Sequence, residues 1–139
     1  MKSLALIAHD NLKPAMIDWA KRHRGLLEKF ALVATGTTGS LLEAQVGLPI
    51  LKMKSGPLGG DQQIGARVAE GRVDALIFFW DPMSPHPHDV DVRALLRLAV
   101  LADVPVACNQ ASADLLMEAL GRRALAQPEF FFGVSKDLS

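Results

Sequence analysis

The residues able to do chemistry in this chain fall into four short stretches, and their types suit proton transfer beside a bound anion. Asp61 follows the double glycine Gly59-Gly60 and opens a helical pattern. A carboxylate aimed by a rigid helix start can act as a general base, although the same position also suits a helix cap. The stretch from Trp80 to Asp91 holds Asp81, His86, His88, Asp89 and Asp91, stiffened by Pro82, Pro85 and Pro87. Asp89 reads as the cap of the next helix, with Asp91 in its first turn pointing near His88. His86 and His88 could share one side of an extended segment. That spacing also permits zinc or iron ligation if His9 or Asp10 supplied a third ligand.

The anion-binding features are different in kind. Thr35-Gly36-Thr37-Thr38-Gly39 combines hydroxyls, glycines and a helix start. A helix N-terminus offers N–H groups and partial positive charge, which suits a phosphate dianion. Thr37 or Thr38 could instead be a plain N-cap. The stretch is neither a Walker A loop nor a dinucleotide fingerprint, since the required lysine and glycine spacings are missing. Ser55-Gly56 adds a second hydroxyl and flexible backbone, and Lys13 an ammonium that otherwise reads as a solvated helix-start charge. His23, in the charged run Lys21-Arg22-His23-Arg24, reads as solvent-exposed.

These residues need a scaffold that brings distant loops together. Apolar runs alternate with helical patterns, which predicts an α/β fold with a mostly parallel sheet. Strands are expected over residues 3–8, 30–34, 49–53, 75–79 and 104–107, the fourth being the most apolar and so central. Helices are expected over about 11–24, from the Thr/Gly loop to about 46, and over 61–70, 90–102 and 111–120. Phe130-Phe131-Phe132 reads as an edge strand or a packing patch. The polar stretches then follow strands one to four, and ligands of open parallel sheets bind beyond the carboxyl ends of the strands.

Composition narrows the classes. The 139 residues suit one domain, residues 1–139, and 50% hydrophobic content supports a sizeable core. Fifteen basic residues balance fifteen acidic ones without a basic tract, so nucleic acid and anionic membrane surfaces are not expected partners. No apolar run approaches the ~20 residues of a membrane span. The apolar start reaches His9-Asp10 too early for a signal peptide. The single cysteine, Cys108, gives no internal disulfide, and the cytoplasm is the expected compartment.

From about Leu4 to Ala113 the chain resembles the methylglyoxal synthase family. The resemblance rests on Ala8-His9-Asp10 with Lys13, on Ala34 through Gly39, on Ser55 through Gln63, and on Phe78 through Pro82 running into Pro87 through Asp91. It implies a three-layer α/β/α domain with a five-stranded, mostly parallel sheet, assembled as a homohexamer. It implies a lyase acting on dihydroxyacetone phosphate, with no metal or redox cofactor. Asp61 would be the catalytic base and His88 its electrophilic or proton-shuttling partner, with Asp91 and Asp10 as assisting acids. His9, Lys13, Thr35, Gly36, Thr37, Thr38, Ser55 and Gly56 would bind substrate alongside His88. His86 receives no role. The tail from Gly121 to Ser139 lacks the C-terminal arginine pattern associated with phosphate control, so weak or absent sigmoidality is expected. The rival expectation is a non-catalytic effector-binding module of the same fold, which would keep the Thr/Gly cradle without needing a base; a metal-dependent hydrolase is the third.

Overall fold

Five parallel strands form one sheet: β1 (Ser3–Ala8), β2 (Ala31–Ala34), β3 (Leu51–Lys52), β4 (Ala75–Phe79) and β5 (Val106–Ala107), in the order β3-β2-β1-β4-β5. The computed structural model describes residues 2–83 and 89–126, with residues 89–91 by backbone alone. His86, His88 and Phe130 to Phe132 lie outside the described residues, as does the side chain of Asp91.

Strand alternation sends successive side chains to opposite faces. In β1, Leu4, Leu6 and Ala8 join one core cluster while Ala5 and Ile7 join the other. In β4, Ala75, Ile77 and Phe79 face one way, and Leu76 and Phe78 the other. Helices cover both faces. One carries α1 (Lys13–Arg22), α3 (Gly36–Val46) and α6 (Gln110–Ala126); the other carries α4 (Gly60–Ala69) and α5 (Asp89–Leu101). Each presents an apolar stripe at helical spacing, as with Ala113, Met117, Leu120 and Ala124 of α6. The result is a three-layer α/β/α architecture. No helix among the described residues is long and apolar enough to cross a membrane.

Several boundaries differ from expectation. The middle strand is β1 rather than β4, although both are interior and fully covered. The edge strands β3 and β5 start later than expected, at Leu51 and Val106, because Pro49 and Pro105 cannot donate to a ladder. The helix expected over 11–24 is a 3₁₀ turn (Asp10–Leu12), then α1, then the short α2 (Arg24–Leu27). The break falls at His23, whose φ of −108° and ψ of 15° turn the chain so that Leu27 enters the core. Helix α6 runs six residues past its expected end at residue 120.

Trp19 on α1 illustrates how burial outweighs a lost bond. It is wholly buried, and its indole N–H has no partner among the described residues. An unpaired donor costs about 1–3 kcal/mol. The ~150–250 Å² an aromatic side chain buries returns several kcal/mol at about 25 cal/mol per Å².

Candidate active site

All five strands point the same way, so the segments following β1, β2 and β3 open on one edge. There they enclose a cleft of about 260 Å³. His9, Asp10 and Lys13 come from the end of β1, Thr35 and Thr37 from the end of β2, and Ser55, Gly56, Pro57 and Asp61 from the path between β3 and α4. Residues more than forty positions apart in sequence therefore meet as the strand order requires.

The Thr/Gly stretch is helix rather than loop. Thr35 occupies the cap position and α3 begins at Gly36, so Thr37 and Thr38 lie within the first turn and neither is an N-cap. The first intrahelical bond runs from Gly39 N to Thr35 O, which leaves the earlier N–H groups of Thr37 and Thr38 at the open end of the helix. Thr35 is buried at the cleft wall and Thr37 is exposed at its mouth. Thr38 behaves differently. Its buried hydroxyl donates to Ala8 O at 3.4 Å, tying α3 to the end of β1, and Thr38 and Gly36 are not among the cleft-lining residues.

Asp61 is not a helix cap either. Gly59 takes that position with φ at 102°, and Asp61 is the second residue of α4, with only 6% of its surface exposed. Its Oδ1 lies 3.5 Å from where a methyl group on Gly56 would sit, so the carboxylate directly faces the Ser55-Gly56 backbone. Similarly, Asp89 is the first helical residue of α5 rather than its cap.

Lys13 Nζ donates to Asp10 Oδ1 at 2.5 Å. The lysine side chain is 14% exposed and the Asp10 side chain 95%, so the ammonium is set into the cleft wall while its acid partner stands in solvent. His9 is held from behind. The backbone N–H of Asp81 donates to His9 Nδ1 at 3.1 Å, which puts the ring proton on Nε2, and the ring meets Phe78 edge-on at 5.2 Å. Asp81 is buried. Its Oδ2 accepts from Asn11 Nδ2 at 3.0 Å and its Oδ1 from Met83 N at 3.0 Å.

Sequence reasoning assigned no role to Asn11, Pro57, Gln63 or Asp81. Pro57 lines the cleft, and Asn11 and Asp81 fix the segment that orients His9. Asp81 had a signal, an acid two residues past the end of the most apolar strand; Asn11 had none. His23 is not simply solvated: its Nε2 lies 2.7 Å from Asp114 Oδ1 and its ring packs near Trp19. Among the described residues, no three His, Cys, Asp or Glu side chains converge as a metal site.

Comparison with known proteins points one way. Residues 15–108 match the family described as MGS-like domain. The methylglyoxal synthase of Pseudoalteromonas atlantica is 58% identical over 135 residues, 93% of this chain and 98% of the relative. That of Hahella chejuensis is 52% identical over 138 residues, 98% of this chain and 90% of the relative. The crystal structure of methylglyoxal synthase from Elizabethkingia anophelis superposes with a TM-score of 0.79 at 48% identity, covering 84% of this chain and 76% of that one.

Proposed function

The chain belongs to the methylglyoxal synthase family, and we propose that its cleft converts dihydroxyacetone phosphate to methylglyoxal and inorganic phosphate with Asp61 as the base. The observation that carries this reading is the buried Asp61 carboxylate sharing one cleft with Lys13, Thr35, Ser55 and the open end of α3. A base and an anion cradle are the two things the reaction needs.

The carbonyl of the substrate acidifies the neighbouring hydroxymethyl C–H, and Asp61 takes that proton. The electron pair moves into an enediolate whose oxygen charge must be stabilised. His9, with its proton on Nε2, and His88 are the donors assigned to those oxygens, while Asp91 and Asp10 assist as nearby acids. The enediol then expels phosphate: its π electrons form the new C=C bond as the bridging C–O bond breaks, and the terminal hydroxyl loses its proton to become the aldehyde. The resulting enol tautomerises to methylglyoxal. Elimination requires the breaking C–O bond to stand perpendicular to the enediolate plane, where its antibonding orbital overlaps the π system. Holding the phosphoryl group there is the work of Lys13, Thr35, Thr37, the Thr37 and Thr38 amides, Ser55 and Gly56. An in-plane phosphate would be retained, and the substrate would isomerise instead.

Residues 1–139 act as one domain, in the cytoplasm, as a homohexamer whose mass light scattering would report. Inorganic phosphate competes with substrate for the same cradle, without marked sigmoidality. The deciding experiment incubates the purified protein with dihydroxyacetone phosphate, without added metal or nicotinamide, and measures both products. Methylglyoxal and phosphate are expected in equal amounts. Isomerisation without phosphate release, or binding without turnover, would overturn the reading.

A further inference from the structure

We propose that Gln63 is a positioning residue that holds the phosphate-binding backbone and the catalytic base in register; this rests on the reading of Asp61 as base. The segment Met53–Ser55 connects the edge strand β3 to Gly56, and it is gripped from two sides. On one side, Met53 N donates to Ala34 O at 2.8 Å and Gly36 N donates to Lys54 O at 3.2 Å, which ties the segment to β2 and the start of α3. On the other side, Gly60 N donates to Ser55 O at 2.9 Å, and Lys54 N donates to Gln63 Oε1 at 2.7 Å, which ties it to α4.

The packing leaves no slack. A methyl group on Gly60 would lie 1.9 Å from Lys54 O, and one on Gly36 would lie 3.0 Å from Met53 O. Two helix starts therefore close on one short stretch of backbone: α3, which opens toward the phosphoryl group, and α4, which carries Asp61. Of the bonds named, only the one through Gln63 is made by a side chain. Gln63 sits two residues after Asp61 on the same helix, and its amide oxygen takes the N–H of the residue preceding Ser55. Removing that acceptor takes away one of the two bonds named between this segment and α4 and leaves Gly60 N to Ser55 O to hold the Ser55-Gly56 limb against the helix that carries the carboxylate.

The test compares Gln63→Leu with Gln63→Glu in the product assay, alongside inorganic phosphate binding by calorimetry. Gln63→Leu deletes the acceptor, and kcat is expected to fall by about 10–100-fold, the scale of a small misplacement away from the reacting atoms. Phosphate binding is expected to weaken with it. Gln63→Glu keeps an oxygen for Lys54 N, so kcat should return near the wild-type value, while its added negative charge raises KM. A structural role alone would lower Tm and leave kcat of the folded protein unchanged in both variants. Wild-type kcat in Gln63→Leu, or equal loss of kcat in the two variants, would overturn the inference. Should Gln63→Leu not fold, Gln63→Asn withdraws the oxygen by one methylene and is expected to show the same loss of kcat; wild-type kcat there would also overturn it. If the wild-type protein makes no methylglyoxal, the functional reading falls by itself. The inference is then decided on phosphate affinity, which must weaken in Gln63→Leu for it to stand.

Discussion

Among the described residues a histidine, an aspartate and a cation come together at the junction of α1 and α6 and again around the cleft, and the two groupings are built differently. At the junction of α1 and α6, His23, Asp114 and Arg22 bind one another. His23 Nε2 lies 2.7 Å from Asp114 Oδ1, Arg22 Nη1 reaches both carboxylate oxygens at 3.2 and 3.3 Å, and Arg22 Nη2 donates to Gln110. At the cleft, the corresponding groups are held by the scaffold. His9 is bound through Nδ1 by a backbone N–H, Lys13 is paired with a carboxylate that stands in solvent, and Asp61 sits on a helix start against the Ser55-Gly56 backbone. The first cluster closes on itself and joins two helices. The second directs a base and a cation into a shared cavity. Residue types alone do not separate the two; what holds each group does.

The sharpest way to break this comparison is Asp61→Asn. The amide is almost isosteric, so the start of α4 should survive while the proton acceptor is lost. Turnover is expected to drop by about 10²–10⁴-fold, with phosphate affinity changed by only a small factor. Near-normal turnover in a folded variant would move the base to Asp10 or Asp91.

Lys13→Ala tests the cation at the cleft and should act on binding rather than on proton transfer. Loss of a charge-assisted bond of roughly 1.5–3 kcal/mol predicts about 10–100-fold weaker binding of substrate and of inorganic phosphate together. Weakened turnover with unchanged phosphate inhibition would show that Lys13 does not meet the phosphoryl group.

Asp114→Asn should be the mildest, because it strikes the self-satisfied cluster. Turnover is expected to stay at the wild-type level, and Tm to fall by about 1–4 °C at neutral pH, the scale of a partly exposed ion pair. The hydrogen bond to His23 and the neighbouring Arg22 charge hold the Asp114 carboxyl below its ordinary range. A depressed folded-state value means stability that is present above the ordinary carboxylate pKa of ~3.9 and lost as pH falls through the lowered one. The Tm gap to Asp114→Asn should therefore persist through neutral and mildly acidic pH and close only in strong acid. A large loss of activity would mean that the two clusters are coupled.

The order and kind of the elements were legible in the sequence because hydrophobic periodicity is a local property. The strand at Ser3–Ala8 and the strand at Ala75–Phe79 stand where the apolar runs put them. The polar stretches at the strand ends were legible for the same reason, and most of the site residues they named do line one cleft. Errors came where a local pattern had two solutions. Thr35 to Gly39 has the composition of a loop, yet α3 starts inside it because the glycines allow the close approach of Gly36 to the Met53–Ser55 backbone.

What only the tertiary structure decided is which of two chemically similar groups faces the cleft and which faces the scaffold. Thr37 lines the cleft mouth while the adjacent Thr38 turns its hydroxyl to Ala8, thirty residues away in the chain. His9 takes its tautomer from Asp81, seventy-two residues on, and His23 its partner from Asp114, ninety-one residues on. Sequence determines residue type and local period, and these were enough for fold class and for the chemistry available. Hydrogen bonds depend on distances of a few ångströms. Between residues so far apart in the chain, those distances exist only after the strands have been ordered and the helices packed onto them.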